Sequence, residues 1–245
     1  MAQPRSAVLT RSERISDDTK LLSFRMRDGA LGFSGGQYLI VDTGIPIADN
    51  KIAKRAYSIV TADEEQDEFR LAVRRIGDGP GSNFMHQLQV GGELRFSGPW
   101  GKFTINKPLP PQAIVFATDT GITAALGLLR GRGVTSSEFR PSVVWLAQSD
   151  RYFLPLHGVI DELDRMGLQD ITFTTLPTTG DKGRVASALG LFERIVRAKT
   201  PNSAYLSGDG AVVHAIRERL LGLGLRDEDI RLECFFNNPQ RKVPT

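Results

Sequence analysis

Arg55-Ala56-Tyr57-Ser58 combines a guanidinium, an aromatic ring and a hydroxyl within four residues. The segment alternates in the two-residue period of a strand, which puts Arg55 and Tyr57 on one face and Ser58 on the other. Such a strand suits a flat ligand with a charged tail: the ring stacks, the hydroxyl bonds a ring nitrogen and the guanidinium pairs with phosphate. Alone, a Tyr-Ser pair in a strand more often means simple packing. The next chemical segment is Gly77-Asp78-Gly79-Pro80-Gly81-Ser82-Asn83-Phe84, a glycine-rich turn entering a helix with Ser82 in capping position. Free backbone N–H groups at a helix start bind anions, a pyrophosphate included. Its plain alternative is an ordinary capped helix after a hairpin. Gly98-Pro99-Trp100-Gly101-Lys102-Phe103 forms a further turn.

The elements that must carry these residues fall into two halves. From Ser6 to Thr104, short alternating runs at 20–27, 37–43, 54–61, 68–76 and 93–97, with one helical stretch near 82–89, predict a small antiparallel barrel. Asn106-Lys107-Pro108-Leu109-Pro110-Pro111 reads as a linker, because proline extends neither a ladder nor a helix. Domains of 1–107 and 108–245 follow. Past the linker, apolar runs at 113–118, 142–148, 171–176, 204–207 and 230–236 alternate with helical patterns from about 122, 154, 186 and 212. Five strands and four crossovers predict a doubly wound parallel sheet, with ligands beyond the carboxyl ends of its strands.

Composition narrows the function classes. Among 245 residues, 31 Lys and Arg against 28 Asp and Glu leave a net charge of +3, so nucleic acid is not implied. A single cysteine, Cys234, rules out an internal disulfide and a four-cysteine iron–sulfur cluster. His86, His157 and His214 lack ligand spacing, so no metal is expected. Without an apolar signal core or a membrane-length apolar run, the expectation is a cytoplasmic monomer.

Taken together and in this order, these motifs resemble the ferredoxin–NADP reductase superfamily over nearly the whole chain. The nicotinamide-domain signature Gly-Thr-Gly-Ile-Ala-Pro appears as Asp119-Thr120-Gly121-Ile122-Thr123-Ala124, Ser207-Gly208-Asp209-Gly210 stands where a Cys-Gly motif is customary, and Glu233-Cys234-Phe235-Phe236 is similar to the terminal Glu-x-Phe. The resemblance implies an N-terminal β-barrel binding FAD and a C-terminal α/β sheet binding NAD(P)H. It implies Arg55 on the pyrophosphate, Ala56 and Tyr57 along the flavin, and Ser58 near flavin N5. Val73 and Arg74 would border the flavin, with Gly79, Gly81, Ser82 and Asn83 at the pyrophosphate. Thr120, Gly121, Gly208 and Asp209 would receive the dinucleotide beside Phe235 and Phe236, and Ser58, Ser207 and Glu233 would serve hydride transfer.

Two departures stand out: Asp119 replaces a glycine where phosphate should approach, and Ser207 replaces the cysteine. For nucleotide choice, Leu176-Pro177-Thr178-Thr179 lacks the arginine of NADPH-selective relatives, while Gly183-Arg184 matches a phosphate-binding Gly-Arg element. A slight lean to NADH with weak discrimination follows. The implied activity is hydride transfer from NADH or NADPH to FAD and single-electron delivery to a ferredoxin, flavodoxin or oxygenase component. A free-flavin or ferric-complex reductase, and a flavin-binding regulatory protein with impaired nicotinamide turnover, stay open as alternatives. The tail 237–245 is expected to cover the flavin cleft.

Overall fold

The computed structural model describes residues 4–48, 51–105, 110, 112–135, 137–198 and 200–239. The chain divides into two compact units, residues 1–104 with 126–133, and residues 105–125 with 134–245. Of the proline-rich linker, residues 106–109 and 111 lie outside the described residues.

Six strands build the first unit: β1 (Arg5–Arg14), β2 (Thr19–Met26), β3 (Tyr38–Ala48), β4 (Lys51–Ser58), β5 (Glu68–Arg74) and β6 (Glu93–Trp100). They pair antiparallel in the order β4-β3-β6-β1-β2-β5. Alternate residues face inward, so Leu22 and Phe24, Leu39 and Val41, Phe69, Leu71 and Val73, and Leu94 and Phe96 meet in one core. The rings of Phe24 and Phe69 stack at 5.2 Å, and Phe96 meets Phe69 edge-on at 5.5 Å. The outer strands are joined just beyond β4, where the Val60 N–H donates to the Arg70 carbonyl at 3.0 Å and the Arg70 N–H donates to Thr61 Oγ1 at 2.6 Å. Strand β1 was not among the five alternating runs. It places only Ala7 and Leu9 in the core and is otherwise Arg, Ser, Thr and Glu around Val8, too weak a periodicity to stand out. Helix α1 (Pro80–Gln87) starts two residues before its expected position, because Pro80 at its first position already has the helical φ.

The second unit holds β7 (Ala113–Thr118), β8 (Ser142–Ala147), β9 (Ile171–Thr175), β10 (Ser203–Asp209) and β11 (Ile230–Phe236), all parallel in the order β11-β10-β7-β8-β9. The winding reverses between β7 and β10, the place where such sheets accept ligands. β7, β8 and β10 are buried throughout, as central strands covered on both faces must be. The connecting helices are α2 (Ile122–Leu129), α3 (Arg132–Thr135), α4 (Leu156–Arg165), α5 (Arg184–Ala198) and α6 (Gly210–Gly222). The short α3 had no counterpart in the sequence pattern. One sheet face packs Ile114, Phe116, Val144 and Leu206 against Phe192 of α5 and Ile216 of α6. Asp209 caps α6 by accepting the Ala211 N–H at 3.0 Å, which starts that helix two residues earlier than the apolar pattern alone suggests. Among the described residues no helix is long and apolar enough to cross a membrane, and no cluster of His, Cys, Asp and Glu could hold a metal ion.

Phe69 is fully buried between two rings, so Phe69→Ala should cost about 3–5 kcal/mol through lost burial and a residual cavity. Denaturant unfolding followed by circular dichroism reads this as a lower midpoint with an unchanged slope.

Candidate functional site

In the first unit, β4 is an outer strand whose Arg55, Ala56 and Lys54 are exposed, while Tyr57 is half-buried and Ser58 buried. Register sets Arg55 opposite Val41, Tyr57 opposite Leu39 and Ser58 opposite Tyr38. The Arg55 stem lies across the first turn of α1: a Cβ added to Gly81 would come 2.4 Å from Arg55 Cγ. Only glycine admits this approach, which lays the Arg55 stem against a helix start with no side-chain cap. Arg55 Nη1 donates to the Lys54 carbonyl at 2.8 Å. Burial pushes the Tyr57 hydroxyl up to about 12 against the opposing pull of Arg55, so the ring is neutral at physiological pH.

The other expected partners serve the loop. Ser82 Oγ accepts the Ile76 N–H at 3.1 Å and donates to the Gly79 carbonyl at 3.2 Å, while Asn83 Nδ2 donates to the Gly77 carbonyl at 3.2 Å. Their backbone shapes the turn, and their side chains are already bonded. Three further first-unit residues have side chains committed within the fold. Val73 points its side chain into the core, with His86 Nε2 3.0 Å from its carbonyl. Arg74 is paired with Asp18 at 2.6 Å. Ser58 turns inward, on the face opposite Arg55, as the alternation of the strand predicts.

In the second unit the sequence signatures converge on the reversal point. Gly121 abuts β10 so closely that a Cβ would sit 2.6 Å from the Gly208 nitrogen and the Ser207 carbonyl. Gly208, at φ 120°, would drive a Cβ to 2.3 Å from Thr118 Oγ1. Thr120, half-exposed, occupies a 3₁₀ turn between β7 and α2, and its carbonyl accepts the Thr123 hydroxyl at 2.9 Å. Ser207, expected near the hydride path, is fully buried and its hydroxyl donates to the Gly121 carbonyl at 3.0 Å. It ties β10 to the turn that follows β7.

The largest correction concerns Arg184. Instead of meeting a phosphate it is only 2% exposed and ion-paired with both Asp119 Oδ2 and Asp209 Oδ2, the latter at 2.8 Å, while Nη1 donates to the Pro177 carbonyl. Asp119 is fully buried at φ 50°, a backbone region aspartate tolerates, and its carbonyl accepts the Trp145 indole N–H at 3.1 Å. Burial raises its carboxyl above the usual range despite Arg184. Asp209 is likewise consumed, by Arg184 and the α6 cap, and its N–H donates to Thr118 Oγ1 at 2.8 Å. Sequence reasoning named all three residues and missed their union, since 65 positions separate Asp119 from Arg184.

On β11, Glu233 stands opposite Ser207, and burial alone raises its carboxyl to about 7. Cys234 Sγ lies 3.6 Å from His214 Nε2, its thiol pushed up to about 11 by burial. Phe235 and Phe236 are half-buried. The described start of the tail crosses α6, where a Cβ on Gly210 would meet Asn238 Cα at 2.6 Å; residues 240–245 lie outside the described residues.

Comparison with known proteins finds that residues 6–105 match the oxidoreductase FAD-binding domain family. A ferredoxin–NADP reductase B of Sorangium cellulosum is 38% identical over 130 residues, 53% of this chain and 52% of that protein. A flavohemoprotein of Pseudomonas putida is 27% identical over 240 residues, 93% of this chain and 58% of the relative. The chain thus spans about half the length of the curated relatives it matches. Among solved structures, the flavohem-like FAD/NAD-binding domain of a Vibrio cholerae nitric oxide dioxygenase superposes with a TM-score of 0.69 at 18% identity, covering 94% of this chain and 98% of that one.

The raised Glu233 carboxyl fixes a pH dependence. A folded value near 7 against an ordinary 4.5 means its contribution is fully present below about pH 4.5 and is lost as pH rises through 7. Glu233→Gln should remove a decline on the order of 3 kcal/mol between pH 5 and 8, seen as a flatter melting temperature against pH.

Proposed function

We infer that this chain, a member of the ferredoxin–NADP reductase superfamily, is an FAD-dependent oxidoreductase that takes hydride from NADH or NADPH and passes electrons to a separate acceptor protein. The observation that carries this reading is the contact of Arg55 with Gly81 at the uncapped start of α1, within the stretch matched to FAD-binding oxidoreductases. The cradle fits a dinucleotide flavin: Gly81 lets the Arg55 side chain lie against a helix start that has no side-chain cap, and Arg55 itself is an exposed cation. A pyrophosphate uses both, whereas FMN has none, so FAD is the expected form. When bound, the flavin supplies the conversion of a two-electron hydride into single electrons.

The protein's own part is positioning. Arg55 and the α1 amides hold the pyrophosphate. Tyr57 presents a neutral ring to the flavin side of β4. In the second unit, the close packing of Gly121 on Ser207 and Gly208 keeps Thr120 and its turn at the reversal point, where the nicotinamide dinucleotide is received. Glu233, titrating near 7, holds a proton on the β11 side of β10 under mildly acidic conditions. With one cysteine in 245 residues, the chain has no cysteine set for an iron–sulfur cluster of its own, so a ferredoxin, flavodoxin or oxygenase component serves as acceptor.

Anaerobic NADH or NADPH should bleach the oxidised flavin, and the reduced protein should then reduce one of those acceptor proteins faster than free flavin or a ferric complex. Absence of bleaching by either nucleotide sinks the nicotinamide step. A ferric complex or free flavin outpacing every protein acceptor moves the protein to the rival reductase class.

Heat-released cofactor should run as FAD, and Arg55→Ala should weaken FAD retention by about 1–3 kcal/mol, the scale of a lost charge-assisted hydrogen bond. Equilibrium titration of the apoprotein measures this, and an unchanged affinity would remove Arg55 from the site.

A further inference from the structure

Arg184 opens α5 directly behind the exposed loop 177–183 that leaves the C-terminal end of β9. A cation there lies on the edge of the sheet along which a dinucleotide is read. Its guanidinium is nonetheless spent inside the protein, on Asp119, Asp209 and the Pro177 carbonyl. Freeing it would leave two buried carboxylates without their cation, a larger loss than one exposed phosphate contact returns. Among the described residues, the C-terminal strand ends and the segments that follow them carry Asp119, Asp150, Asp181 and Asp209 against Arg151, Lys182 and Arg184. With Arg184 outnumbered by two aspartates in its own triad, the described groups at that edge have a surplus of one carboxylate. Asp181 adds to it at the start of α5, where its carboxylate accepts the Gly183 N–H at 2.6 Å. An additional phosphate is repelled there, while uncharged ribose hydroxyls are not.

We propose that Asp119 sets nucleotide choice by holding Arg184 in the buried triad, which denies the guanidinium to a 2′-phosphate and leaves NADH the preferred hydride donor. This rests on the nicotinamide-dependent reading above. Asp209 alone does not impose the choice, because it engages Arg184 through Nε and leaves the Nη2 end to Asp119. Asp119 sits at φ 50°, which glycine adopts without strain, so Asp119→Gly removes the second carboxylate, opens space beside Nη2 and spares the backbone.

The test uses FAD-loaded wild type, Asp119→Gly, Asp119→Asn and the double variant Asp119→Gly/Arg184→Gln. Calorimetry with 2′,5′-ADP and 5′-ADP gives affinities independent of turnover, and anaerobic stopped-flow gives kcat/KM for both reduced nucleotides. Wild type should favour NADH at least tenfold and bind 2′,5′-ADP no more tightly than 5′-ADP. Asp119→Gly should shift both ratios toward the 2′-phosphate at least tenfold, Asp119→Asn should shift them in the same direction by less, and Arg184→Gln should cancel the gain. If Asp119→Gly does not fold, Asp119→Asn carries the same reading. Wild-type preference for NADPH, or ratios unmoved in folded variants, overturns the proposal. If wild-type flavin is reduced by neither nucleotide, the nicotinamide reading fails by that result, while the ADP pair still reports whether Asp119 governs phosphate discrimination.

Discussion

The buried triad of Asp119, Arg184 and Asp209 ties together three points that the chain reaches at very different times: the end of β7, the start of α5 and the end of β10. Charges taken this far from water persist only when paired and bonded. Each member is therefore also anchored through its backbone or a second acceptor. Trp145 holds the Asp119 carbonyl, Thr118 holds the Asp209 N–H, and Pro177 takes a further Arg184 donor. Around this knot the glycines at 121 and 208 let β7 and β10 approach backbone to backbone. The place where a doubly wound sheet opens for a ligand is here defined by an ionic clamp as much as by hydrophobic packing.

The first unit reaches its site by a simpler route. Inward-facing Leu, Val and Phe close the barrel, and the outward face of an outer strand is left to carry Arg55. A rigid strand and a short helix meet at one contact, and the absent side chain at Gly81 makes that contact possible. Positioning by regular elements is more exact than positioning by loops, which suits a ligand held at both a ring and a pyrophosphate.

Much of the fold was legible because periodicity is a local property. Apolar runs such as 113–118 and 230–236 announced buried strands, and glycine and proline marked most boundaries. β1 escaped because its core contribution is small, and the helix starts slipped by two residues where Pro80, Arg184 and Asp209 open helices ahead of the apolar pattern. In the site, residue types were readable and side-chain commitments were not. Arg184 looks like a phosphate ligand until its two carboxylates, 65 and 25 residues away, are seen beside it. The partners of Ser207 and Arg74, Gly121 and Asp18, are long-range in the same way.

The indole of Trp145 gives the molecule a built-in optical reporter. Of the two tryptophans, Trp100 is 38% exposed and Trp145 is 2% exposed with its N–H bonded to the Asp119 carbonyl. A soluble quencher therefore silences Trp100 first and leaves blue-shifted emission from Trp145. That residual light comes from a ring hydrogen-bonded to the turn after β7, so its wavelength and yield follow the state of the ionic clamp without any label being attached.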